Sequence, residues 1–180
     1  MEYPDFSIFP ELNTLRLKLR KLADTDAQEI HELRSSPIVN KFIDRNPSTG
    51  IADAMAFIQK ITDNVQHNKS VYWAITLKDH PALIGTIGFW NFDIPGETIE
   101  IGYELLPQYQ GMGLMGEAIK SAINYGFNEI KAEIITAFLS TDNLSSIKLL
   151  INNGFKINDE IADNSHETAD NVATYLLNKP

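Results

Sequence analysis

Between Tyr103 and Ala118 the chain packs Gly111, Gly113 and Gly116 into six residues, directly after a strand-like run and directly before an amphipathic helical pattern. This succession of strand, glycine-rich turn and helix start constrains the fold more than any other stretch. Glycine removes Cβ atoms where a helix begins, and there the backbone exposes unpaired N–H groups and the positive end of its dipole. A phosphate or pyrophosphate can therefore approach closely. Chain reversal alone is the plainer reading of a glycine-rich turn, yet reversal does not require three glycines in so short a span.

The letters Gly111-x-Gly113-x-x-Gly116 also satisfy the dinucleotide-binding fingerprint, and with it a nicotinamide-dependent oxidoreductase. That fingerprint belongs to a repeated βαβ unit with an acidic residue about 20 residues on, at the end of the next strand. Here the next strand-like run, 133–139, ends in Phe138-Leu139, and the first acidic group beyond it is Asp142. Too little chain follows to build a doubly wound half-domain.

With its flanks, the segment resembles motif A of the GNAT superfamily of acetyl-coenzyme A-dependent N-acetyltransferases. The matching residues are Glu100-Ile101-Gly102-Tyr103, then Pro107-Gln108-Tyr109-Gln110-Gly111-Met112-Gly113, then Glu117-Ala118. One letter departs, since the last Gly/Ala of the family's core falls on Met115, with Gly116 following at once. Downstream, Asn143 opening a helix that closes on Gly154-Phe155 looks like motif B. Upstream, Thr14-Leu15-Arg16-Leu17-Lys18-Leu19-Arg20 and Asp24-Thr25-Asp26-Ala27 are similar to the opening of the branch containing the ribosomal-protein N-terminal (alanine/serine) acetyltransferases.

The resemblance implies an α+β fold with a mixed, mostly antiparallel central sheet flanked by helices, in a single domain over 1–180. It implies acetyl-coenzyme A as cosubstrate. The pyrophosphate would lie on the backbone N–H groups of Gly111, Met112, Gly113, Leu114, Met115 and Gly116, with Gln110 as a side-chain donor. The side chains of Met112, Leu114 and Met115 read as packing. The resemblance further implies that strand 98–105 pairs with the pantetheine amides through Tyr103, Glu104 and Leu105, a strand-addition mode of binding, and that Asn143 contacts the same arm. Asn143 equally suits a helix N-cap, and the two roles are compatible.

Length and composition agree. With 180 residues of which 43% are hydrophobic, one core suffices. The absence of cysteine excludes disulfides, thiolate catalysis and cysteine-based zinc sites, and it fits a reducing compartment. No run reaches membrane length and the amino terminus lacks a signal-peptide pattern, so a cytoplasmic protein is expected, with no membrane partner. A net charge of −9 argues against nucleic acid. It fits either attraction of cationic acceptors or simple solubility. His31, His67, His80 and His166 show no ligand spacing, and no metal is expected. A monomer or homodimer is open.

Period-two alternation of Leu15, Leu17 and Leu19 predicts a half-buried strand. A helix follows from Asp24 or Thr25 to about Arg34, and Pro37 ends it. Ile51, Ala54, Met55, Ile58, Ile61 and Val65 form one apolar stripe of a second helix. Strands are predicted at 70–77, 83–92, 98–105, 133–139, 155–161 and 172–177, with helices at 114–127 and 144–153. Residues 78–81 and 93–97 make the turns, and only the first dozen residues and 159–171 look loosely packed. In helix 114–127, Ala118, Ile119, Ala122, Ile123 and Phe127 should face the sheet.

Acetyl transfer from a thioester to an amine needs a neutral amine, a stabilised oxyanion and a protonated leaving thiolate. The resemblance implies a Tyr acid seven positions after the motif B Asn, but Leu150 stands there. Ser146, three positions after Asn143, matches the serine of the ribosomal-protein branch and is the candidate acid, its plainer role being a first-turn residue bonded to local backbone. Glu100 and Glu104 share one strand face and are candidate bases, or else surface carboxylates; Tyr103 could orient substrate. The expected acceptor is a primary amine, in first place a peptide or protein N-terminal α-amine. The alternatives are a small amine, such as a polyamine or aminoglycoside, and an acyl-coenzyme A-binding sensor or structural module without turnover.

Overall fold

A computed structural model of the chain describes residues 3–95, 97–158 and 171–180. Along the chain run β1 (Leu12–Asn13), β2 (Leu17–Lys21), α1 (Ala27–Ser35), α2 (Pro37–Asn40), α3 (Ile51–Gln66), β3 (Val71–Leu77), β4 (His80–Asp93), β5 (Thr98–Leu105), α4 (Leu114–Asn128), β6 (Ile134–Ser140), α5 (Leu144–Asn152), β7 (Lys156–Ile157) and β8 (Val172–Asn178). The strands form one sheet in the order β1-β2-β3-β4-β5-β6-β8-β7. Every neighbouring pair is antiparallel except β5 with β6. This is the α+β, mostly antiparallel arrangement expected.

Two faces of the sheet carry different chemistry because side chains alternate along a strand. On one face lies α4. A Cβ built on its Gly126 would come within 3.1–3.2 Å of Ile99, Ile135 and Phe89, so this helix rests directly on β4, β5 and β6. Ala118, Ile119, Ala122 and Phe127 are buried as their spacing predicts, and Ile123 is partly so. The opposite face is covered by α1 and α3, where the Phe57 ring meets Tyr72 edge-on at 5.9 Å. β3 lies between the two helical layers, which is why six of its seven residues are buried.

Several expectations are corrected. The first dozen residues are docked rather than loose: Phe6 is buried, its N–H donates to Asn68 Oδ1, and Trp73 Nε1 donates to Pro10 O at 2.6 Å. Leu15 is 86% exposed, because the strand begins only at Leu17 and the chain bends before it. The turn expected at 78–81 is tighter, with His80 and Pro81 already in β4. In α3 the stripe is narrower: Ala54, Ile58 and Val65 are buried while Ile51 and Met55 stay exposed. The strand expected at 155–161 appears as the short β7, and 159–161 lie outside the described residues. Among the described residues no helix is long and apolar enough to cross a membrane.

Candidate active site

After β5 the chain makes one tight turn at Pro107–Tyr109 and enters α4 at Leu114. Gly111 and Gly113 adopt φ of +75° and +73°, left-handed backbone that side chains strain to reach. Nothing lies within 4 Å of a Cβ built on Gly111, and only Arg16 Nη2, at 3.6 Å, faces one built on Gly113. The loop is therefore open to a ligand. Among the described residues the N–H groups of Gly111, Met112 and Gly113 make no hydrogen bond. Those of Leu114, Met115 and Gly116 have no acceptor within the helix because they belong to its first turn. Leu114 and Met115 send their side chains into the core, leaving only backbone toward solvent, while Met112 is exposed.

One member of the motif behaves differently from expectation. Gln110 turns inward, its Nε2 donating to Leu105 O at 2.9 Å, so this side chain ties the loop to the end of β5. Gly116 is helical, and a Cβ there would make an ordinary 3.6 Å contact with Leu149 of α5.

A clamp that no sequence pattern announces braces the loop. Glu117, in the first turn of α4, accepts from Thr14 Oγ1, from the Arg16 N–H at 2.7 Å and from Arg16 Nε at 2.7 Å, while Arg16 Nη1 donates to Met112 O at 3.0 Å. Burial works against the Glu117 carboxylate, but these hydrogen bonds and the Arg16 charge hold it down to about 2. The ordinary value being 4.5, the clamp's contribution to stability is complete above that pH and is lost as pH falls toward 2. We expect Glu117→Gln to flatten the acid limb of a denaturation profile between those values. An unchanged profile, followed by circular dichroism, would deny the clamp its role.

Beside the loop the sheet opens. β5 and β6 pair only through Thr98↔Ile134, Ile99↔Ile135 and Glu100↔Thr136, and then continue to Leu105 and Ser140 unpaired with each other. On the α4 side of this gap stands α5. Its N-cap Asn143 accepts the Ser146 N–H on Oδ1 at 3.2 Å, the capping geometry, and among the described residues its Nδ2 makes no hydrogen bond. The Tyr103 hydroxyl stands near the Ser146 side chain on this side of the gap. Burial pushes Tyr103 up to about 12, partly offset by Ser146, so it stays protonated at neutral pH. Leu150 is fully buried in the core.

On the other face, Glu100 and Glu104 share a side with Thr86, Gly88 and Trp90 of β4. Glu100 is buried at the apex of the gap and accepts from Asn91 Nδ2 at 2.6 Å. Glu104 sits nearer the mouth, where Arg45 Nη1 and Nη2 donate to its two oxygens at 2.6 and 2.7 Å. Arg16 and Arg45 were invisible in the sequence, since their partners lie 101 and 59 residues away. The loop 110–116 thus meets the mouth of the gap, with Ser146 and Asn143 on one face and both carboxylates on the other. Open left-handed glycines, unmatched N–H groups and an unpaired strand edge suit a ligand with a pyrophosphate and an amide-bearing arm.

Comparison with known proteins agrees. Residues 16–156 match the family model "Acetyltransferase (GNAT) domain". The chain is 34% identical over 149 residues to the uncharacterized N-acetyltransferase YoaA of Bacillus subtilis (strain 168), covering 83% of this chain and 84% of that one. Among solved structures it resembles RimL, a ribosomal L7/L12 alpha-N-protein acetyltransferase in complex with coenzyme A, with a TM-score of 0.77 at 17% identity over 94% of this chain and 98% of that one. It also resembles the microcin C7 self-immunity acetyltransferase MccE in complex with acetyl-CoA and AMP, with a TM-score of 0.78 at 21% identity over 97% and 100%. The chain belongs to the GNAT family of acetyl-coenzyme A-dependent N-acetyltransferases.

Proposed function

We propose that the acceptor is a peptide or protein N-terminal α-amine, acetylated by direct transfer while both substrates are bound. The observation that carries this reading is the engagement of both carboxylates. Glu104 has each oxygen committed to Arg45, and Glu100 is buried against the Asn91 amide. Such a site is poorly equipped to strip a proton from a strongly basic amine. An α-amine with a pKa near 8 is about one-tenth neutral at pH 7, whereas a lysine near 10.4 is neutral only on the order of once in a few thousand. The similarity to RimL, whose acceptor is a protein α-amine, supports the same reading.

In this mechanism the amine approaches from the α1–α3 face and attacks the thioester carbonyl held in the gap between β5 and β6. Glu100, at the apex, accepts the amine's proton directly or through water. Ser146 gives its proton to the departing thiolate from the α5 face. The protonated Tyr103 stands beside Ser146 and can replenish its proton. The cradle N–H groups and Asn143 bind and orient the coenzyme but take no proton.

Equal concentrations of an unblocked peptide, its Nα-blocked lysine counterpart and spermidine, competed in one vessel and read by mass spectrometry, test the acceptor. We expect the unblocked α-amine to be acetylated fastest. Preference for spermidine or the blocked peptide would overturn the acceptor assignment while leaving the transferase intact.

A further inference from the structure

The face from which the amine would approach carries, at the mouth of the gap, a guanidinium that no carboxylate pairs among the described residues. Gly88 and Gly102 are cross-strand partners on β4 and β5. A Cβ on Gly88 would lie 2.6 Å from the Tyr72 ring, and one on Gly102 would collide with the Trp90 indole, so two aromatic rings lie flat against the sheet there. Above this floor, the Arg34 guanidinium stacks 3.9 Å from the Phe57 ring centroid. Arg45 is only 12% exposed in its ion pair with Glu104.

At the mouth of the gap two guanidinium groups therefore meet one carboxylate, Glu104, while Glu100 lies deeper, against the Asn91 amide. Arg45 neutralises Glu104, whereas among the described residues the Arg34 guanidinium makes no hydrogen bond or ion pair. Burial and the neighbouring Arg45 charge both work against Arg34's charge, with partial relief from Glu104. The result is a half-buried cation at the mouth of the gap with no paired anion among the described residues, in a protein of net charge −9. A bare ammonium acceptor would meet repulsion here. An acceptor that also carries an anion would instead complete the cluster, and the planar guanidinium fork suits a carboxylate or phosphate.

We propose that Arg34 selects acceptors bearing a carboxylate or phosphate close to the reacting amine, so that among N-terminal peptides those with an acidic residue directly behind the α-amine are preferred. The peptide form of this statement rests on the α-amine reading; the anion preference does not. Arg45 acts as a positioning residue, holding Glu104 so that Arg34 remains the group open to the substrate.

The test measures kcat/KM for three peptides that differ only at the second residue, Asp, Asn or Lys, with wild type, Arg34→Gln and Arg34→Lys. Wild type should favour the Asp peptide over the Lys peptide by about tenfold or more, as expected when the first forms a charge-assisted hydrogen bond and the second meets repulsion. Arg34→Gln should bring that ratio to within about twofold, and Arg34→Lys should recover part of it. Acetyl-coenzyme A affinity, measured by calorimetry, checks that each variant is folded. Equal rates for the three peptides with wild type, or an unchanged ratio in Arg34→Gln, would overturn the inference and leave the α-amine reading standing. A parallel arm compares an amino-sugar phosphate with the unphosphorylated amino sugar. Preference for the phosphate with all peptides inert would support the anion site and overturn the α-amine reading.

Discussion

Gly113→Asp should remove acetyl-coenzyme A binding while leaving the protein folded. Gly113 is the N-cap of α4 at φ +73°, and aspartate is among the few residues that tolerate that backbone. Its carboxylate would project where only Arg16 Nη2 lies within 4 Å, and would put a negative charge where the pyrophosphate belongs. Two like charges about 4 Å apart at an effective dielectric of about 20 repel by roughly 4 kcal/mol, a loss on the order of a thousandfold in affinity. Gly113→Asn supplies the same bulk without the charge and should lose far less. Gly116→Ala, at a helical position with ordinary clearance, should bind nearly as wild type. Calorimetry decides the series; full affinity in Gly113→Asp would place the coenzyme elsewhere.

Ser146→Ala is the second large effect, a fall in kcat on the order of a hundredfold or more with acetyl-coenzyme A affinity held within about twofold. The reasoning is geometric. Leu150 is fully buried and offers no proton, and Ser146 lies on the α5 side of the gap, near a Tyr103 that stays protonated. Tyr103→Phe keeps the ring and removes the hydroxyl, and should lower kcat less than Ser146→Ala does. A normal kcat in Ser146→Ala would reduce Ser146 to a helix-end residue whose N–H Asn143 caps.

Local patterns made the long strands, the major helices and the left-handed loop legible, because each is written in short-range periodicity or glycine placement. The buried face of α4 followed from Ala118, Ile119 and Ala122 alone. What escaped depends on residues distant in the chain. Phe6 and Pro10 are held by Asn68 and Trp73, more than sixty residues on, so the amino-terminal segment looks loose when read locally. Arg16 reads as the solvent-facing member of an alternating strand, yet it joins Met112 and Glu117. The same blindness applies to Glu104, whose bidentate Arg45 partner follows a short helix that no spacing predicts. Gln110 escaped for another reason: a donor in a phosphate motif also suits a strand-end carbonyl, and Leu105 O claims it.

Release of free thiol, followed continuously and matched to the acetylated product by mass spectrometry, bears most directly on the proposed chemistry. The chain has no cysteine to carry an acetyl group, so transfer in this mechanism goes straight to the acceptor. With acetyl-coenzyme A and an unblocked peptide, thiol should appear one for one with Nα-acetylated peptide, and without an acceptor it should stay at background. Thiol release that needs no amine, or none with any amine tested, would contradict direct acetyl transfer by this site.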